Sequence, residues 1–239
     1  MKKQKYISLV VVTTLFVNIV SAFAIPSNNE SINYLVKGND LSRLSMGIYG
    51  GQFERDIDWD NGPVQKLTSN RFYGYIGVDV INWLTLYATA GMSESAINEG
   101  SYSDYDGCFG AGLRINVLSH YIKEPVLTSD IIRLNFEANY LHSSADLKYR
   151  DNIDWDEINA SFTIELVNDT TGNKFYSPES ISLYVGPIFS ALISDDFSED
   201  NSFGVMGGIQ LFIVDSVALD FQVQHYGETS ISGGINYRF

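Results

Sequence analysis

The sequence predicts an all-β fold, an antiparallel up-and-down transmembrane β-barrel of about ten strands, and three observations carry that prediction. Apolar and polar residues alternate over runs longer than the ~5–6 residues of an ordinary strand. Aromatic residues and glycine are abundant, with 15 Tyr, 14 Phe and 20 Gly, while only 18% of the residues are charged. The chain opens on an export signal, and no later apolar run approaches the ~20 residues of a spanning helix.

The first 24 residues, MKKQKYISLVVVTTLFVNIVSAFA, divide into a basic head (Lys2, Lys3, Lys5), an apolar run from Ile7, and a close on Ala22-Phe23-Ala24. Small residues at the two positions a signal peptidase reads make 1–24 a cleavable secretory signal. Residues 25–40 are expected as a short periplasmic segment and 41–239 as the barrel. Losing the three signal lysines leaves 12 basic against 29 acidic residues, a net charge of −17. That balance excludes an electrostatic affinity for nucleic acid. Cys108 has no second cysteine to pair with, so no disulfide framework is expected.

The alternation places the strands in order at 44–54, 70–80, 84–92, 106–118, 130–142, 156–167, 180–192, 202–213, 217–226 and 230–239. In 106–118, Phe109, Ala111, Leu113, Ile115 and Val117 point one way, and Cys108, Gly110, Gly112, Arg114 and Asn116 the other. In 130–142, Ile132, Leu134, Phe136, Ala138 and Tyr140 alternate with Arg133, Asn135, Glu137 and Asn139. In 217–226, Val217, Leu219, Phe221 and Val223 alternate with Ala218, Asp220, Gln222 and Gln224. Such runs approach the ~9–11 residues of a tilted membrane-crossing strand. A soluble sandwich also alternates, but its polar face would not need small residues, amides and ions of both signs. Only closure satisfies every backbone donor and acceptor in lipid.

The final stretch, TSISGGINYRF, resembles the C-terminal strand of bacterial outer-membrane barrels, whose terminal aromatic is read by the barrel-assembly machinery. RFYGYIGVDVINWLTLYATAG, YVGPIFS and the RDIDWD near the first strand's end resemble a group of small outer-membrane barrel proteins. That resemblance implies fold and outer-membrane location but no activity. It makes Tyr237 and Phe239 the assembly signal, with outer-membrane lipid and the assembly machinery as partners, and sets Phe239 at the periplasmic end. Strand parity then makes 81–83 and 214–216 short periplasmic turns. The links 119–129 and 168–179 fall on the same side and are longer than usual there, which leaves eight or twelve strands as alternatives.

The tetrapeptide IDWD occurs twice, at 57–60 and 153–156. By parity both copies belong to the outer rim, where Trp59 and Trp155 are expected to seat their rings at the interface with the aspartates in water. An EF-hand loop counted from Asp56 would need Gly sixth and Glu twelfth. Asn61 and Leu67 stand there instead. Asp56, Asp58, Asp60, Asp154 and Asp156 are left as candidates for a looser calcium site, which Asp195, Asp196, Glu199 and Asp200 could join, against a plain solvated acidic rim.

Parity turns Asp79, Arg114, Arg133, Glu137, Glu165, Asp220 and Arg238 into the lumen. Charges of alternating sign there read either as an ion-pair network filling a narrow barrel or as the constriction of a small pore. LHSSAD offers His142, Ser143, Ser144 and Asp146 at the top of a strand as the raw material of a rim hydrolase. Adjacent strand residues face opposite ways, so His142 and Ser143 do not make a pair. His225 falls on the lipid-facing register and His120 in a link. The sequence thus predicts a structural or surface-interaction barrel, not an enzyme and without a cofactor. A narrow channel is the alternative and a rim hydrolase a remote one.

Overall fold

The computed structural model of the chain describes residues 43–59, 63–98, 100–123, 129–146, 152–169, 180–214 and 216–239. The expected signal at 1–24, the expected periplasmic segment at 25–40 and the calcium candidate Asp60 lie outside these. Eleven strands are described: β1 (Leu44–Trp59), β2 (Val64–Ile81), β3 (Leu84–Ile97), β4 (Asp106–Lys123), β5 (Ser129–Ala145), β6 (Ile153–Asp169), β7 (Ser180–Ile193), β8 (Phe197–Glu199), β9 (Phe203–Val214), β10 (Val217–His225) and β11 (Thr229–Arg238).

Ten of them form the wall. Sequential neighbours pair antiparallel, β7 pairs with β9 across the short β8, and β11 returns to β1 from Ser45↔Arg238 to Gln52↔Ile231. The sheet is therefore a closed ten-stranded barrel with no open edge, as a lipid-bound sheet requires. β2, β4, β6 and β9 end where β1 begins and β11 ends, here the turn end; β1, β3, β5, β7 and β10 end at the opposite, loop end.

The strands run further than the alternation suggested. β4 reaches Lys123 and β5 begins at Ser129, so the long link expected at 119–129 shortens to 124–128. His120 accordingly belongs to β4 and is exposed on the wall. The register slips between Asn116 and Leu118. That bulge ends the simple alternation at Val117, so Leu118, His120 and Ile122 face out while Ser119 keeps the lumen register.

Outward positions form an apolar belt with Met46, Ile48, Phe72, Ile76, Leu86, Phe109, Ile164, Val185, Phe221 and Ile235 all exposed. An exterior of this kind is stable only against lipid. On β1 the belt stops at Gly50, and the outward residues become Gln52, Glu54, Asp56 and Asp58. β1 to β7 span 14–18 residues, more than the ~9–11 that a crossing needs. β9, β10 and β11 span 12, 9 and 10. The first seven strands thus project past the belt at the loop end.

The projection would leave a gap above the short strands, and β8 fills it. Its Phe197, Ser198 and Glu199 pair with Trp59, Asp58 and Ile57 of β1, and Ser198 pairs with Ile193 of β7. One strand there takes the place of three, so the barrel narrows to β1–β7 plus β8. An interior bounded by about eight strands is just wide enough for side chains to fill.

Candidate functional site

The inward residues divide into two zones. In the belt zone two of the ion pairs are cross-strand neighbours, and a third reaches across β1. Arg114 lies 3.1 Å from Glu137, and Arg133 lies 3.9 Å from Glu165. Arg238 pairs with Asp79. Asp220 accepts hydrogen bonds from the hydroxyls of Tyr184 at 3.1 Å and Tyr49 at 3.3 Å, and Tyr87 donates to Glu137 at 2.6 Å. Tyr49 stacks on Tyr73 with ring centroids 5.8 Å apart. These rings lie where glycine leaves room. A Cβ on Gly112 would come 2.4 Å from the Tyr87 ring, and one on Gly208 2.4 Å from that of Tyr184.

Together these residues line a cavity of about 910 Å³. At the turn end it is bordered by Arg43, Asn82, Trp83 and Ser216, and at its inner limit by Phe53, Arg71 and Glu157. There it stops. Above lies an apolar cluster of Phe53, Ile57, Leu67, Ala145, Ile153, Trp155, Leu192 and Phe197, with Ile57, Leu67 and Ala145 fully buried. Trp155, expected at the membrane interface, points inward instead and is 1% exposed. The reason is register: Asp154 and Asp156 take the outward positions of β6, so the residue between them must face in.

A layer of charge underlies this cluster. Arg71 lies 2.8 Å from Glu157, with both side chains buried. The Arg55 guanidinium lies over the Tyr226 ring, 3.0 Å from its centroid, and Arg71 lies 4.0 Å over Phe53. One carboxylate thus serves two cations that aromatic faces also hold. Sequence reasoning left out Arg55, Arg71 and Glu157. The parity that placed Asp79 and Glu165 in the lumen already implied Arg71 and Glu157, whereas Arg55 and Leu67 fell beyond strand ends drawn too short.

At the rim, Asp56 and Asp58 face out on β1, and Asp154 and Asp156 face out on β6. Among the described residues no three His, Cys, Asp or Glu side chains gather closely enough to hold a metal ion. Several rim residues are tied by hydrogen bonds. The Asp200 amide donates to the Asp56 carbonyl, Glu199 accepts from the Leu192 amide at 3.0 Å and from Ser202, and Asp156 accepts from Tyr140 at 2.6 Å. His142 Nδ1 lies 2.9 Å from Asp156. Asp146, the acid that LHSSAD offered, donates its backbone amide to the Asp106 carboxylate. Cys108 is buried on the inward side, and His225 is exposed on the outward one.

No protein-family model matches the chain, and no curated protein sequence does either. Solved structures with a similar chain course are bacterial outer-membrane barrels. LpxR from Salmonella typhimurium is 9% identical with a TM-score of 0.46, over 84% of this chain and 86% of that one. An outer-membrane channel from Pseudomonas putida F1 is 11% identical with a TM-score of 0.37, over 89% and 100%. The translocator domain of autotransporter NalP from Neisseria meningitidis is 12% identical with a TM-score of 0.31, over 97% of each chain.

Proposed function

We propose that the protein is a non-conducting barrel of the bacterial outer membrane, a structural wall whose loop end faces the cell surface. Its turn end, with both wall termini, faces the periplasm, and Tyr237 and Phe239 present the C-terminal strand to the assembly machinery during insertion. The carrying observation is the apolar cluster of eight buried residues that fills the narrowed loop end. Water and ions entering from the turn end meet the ion pairs of the belt zone, then the buried Arg71–Glu157 pair and, beyond it, the packed apolar cluster. The reading supports a seal made by hydrocarbon and aromatic packing, with the ion pairs serving the wall below it.

Planar-bilayer conductance tests this directly. The refolded mature chain should give no discrete steps. A Trp155→Ala/Phe197→Ala double variant, which removes two large rings from the cluster, should give them. Steps in the wild type would overturn the reading and make the chain a narrow channel, with the cavity of about 910 Å³ as its vestibule.

A further inference from the structure

On the outside of the wall, where the apolar belt ends, side chains from two strands share one face. His142 and Ser144 are two residues apart on β5, so alternation turns both outward, while Ser143 between them is fully buried. The register sets Asp156 of β6 opposite His142 and Asp154 opposite Ser144. His142 Nδ1 and Asp156 Oδ1 are 2.9 Å apart. An ionised carboxylate only accepts, so the shared proton sits on Nδ1, and Nε2 is left as a proton acceptor.

The neighbours hold this arrangement. The Tyr140 hydroxyl donates to the same Asp156 oxygen at 2.6 Å, and the Phe109 ring packs 4.9 Å from the imidazole. Two residues along a strand span about 6.7 Å; no hydrogen bond joins Ser144 to His142 here, and a rotation of the serine side chain on substrate binding is what brings the two together. On the other side of Ser144, Gly107 precedes the residue paired with Ser143. A side chain there would meet no atom within 4 Å, so the approach to the hydroxyl is open.

We propose that Ser144, His142 and Asp156 form a lipid-facing hydrolytic site for carboxylic esters of membrane lipids. The substrate class follows from position. Phe109, level with His142, and Tyr140 below it are exposed toward the acyl chains, and Asp154 and Asp156 make the site part of the acidic rim, so the ester linkage of a membrane lipid is the group expected at this height. Ser144 Oγ attacks the ester carbonyl while Nε2 takes its proton, and Asp156 steadies the imidazolium. Collapse of the tetrahedral intermediate breaks the acyl C–O bond, and the leaving alcohol takes the proton from the imidazolium. Water, deprotonated by the same nitrogen, then attacks the acyl-serine, releases the fatty acid and returns the proton to Ser144. The site lies outside the barrel and is independent of the seal.

The test uses the refolded mature chain in phosphatidylethanolamine vesicles, with folding checked by its heat-modifiable gel mobility. Fatty-acid release and covalent labelling by a fluorophosphonate are both measured. The wild type should release fatty acid and take the label at Ser144. Ser144→Ala should abolish both, and His142→Asn or Asp156→Asn should lower release by about 100-fold or more. Ser143→Ala, at an inward hydroxyl without a hydrogen-bond partner, should leave both unchanged. Label at Ser144 that needs His142, without release from this lipid, would keep the site and assign it another acyl-ester lipid. A folded wild type that neither releases fatty acid nor takes the label overturns the proposal. So does release or labelling that survives the loss of His142.

Discussion

Single residues decide how charge and rings fit inside a narrow wall. Glu157 is 2% exposed and shares its layer with Arg55 and Arg71. Replacing a carboxylate that balances buried guanidinium leaves an uncompensated charge, which costs about 3–5 kcal/mol. Glu157→Gln should therefore lower the urea midpoint of unfolding from vesicles clearly. Glu137→Gln, whose partner Arg114 has a half-exposed side chain, should lower it much less. Glycine at 208 is set by space: a Cβ would meet both the Tyr184 ring and the Phe221 carbonyl at 2.4 Å. Gly208→Ala should destabilise by roughly 1–3 kcal/mol, read from the same midpoint. The lumen charges were legible at this scale because a strand's period of two leaves no freedom once one residue is assigned. Trp155 was misplaced because tryptophan's preference for interfaces was allowed to override the parity of the two aspartates beside it.

Among the elements, β8 is the one that periodicity could not find. Three residues inside DDFSEDNSF carry no alternation to detect, and their acidity reads as a solvated loop. What makes them a strand is tertiary: the gap left between β7 and β1 where β9–β11 stop short. The His142–Asp156 contact was hidden for a related reason, since it depends on the β5–β6 register and not on spacing along either strand. If β8 closes the rim, removing its amide donor should open it. Ser198 pairs with both Asp58 and Ile193, and proline there cannot donate. Ser198→Pro should raise the rate of limited proteolysis within 194–202 by about tenfold, corresponding to roughly 1.4 kcal/mol of easier local opening, with the wall strands left intact.

For the whole molecule, the proposed seal would make the narrowing from ten wall strands to the β1–β8 arc turn an open tube into a blind one, and the chain carries its own reporter of that closure. Cys108 is the only cysteine in the sequence. It is 2% exposed on the inward side of β4, paired with Gly91 and Ser143 and absent from the lining of the cavity below. A charged, membrane-impermeant maleimide should therefore leave Cys108 unmodified in the folded barrel and react with it at once on denaturation. Trp155→Ala/Phe197→Ala should expose the thiol without unfolding, because loss of the two rings leaves a cleft that the flanking strands cannot collapse around. An Arg114→Ala/Arg133→Ala variant should stay protected, since those charges lie below the dry layer. Modification of the arginine variant but not of the aromatic one would place the seal in the ion pairs. Protection in both would mean that Cys108 is shielded by the wall and not by the cluster.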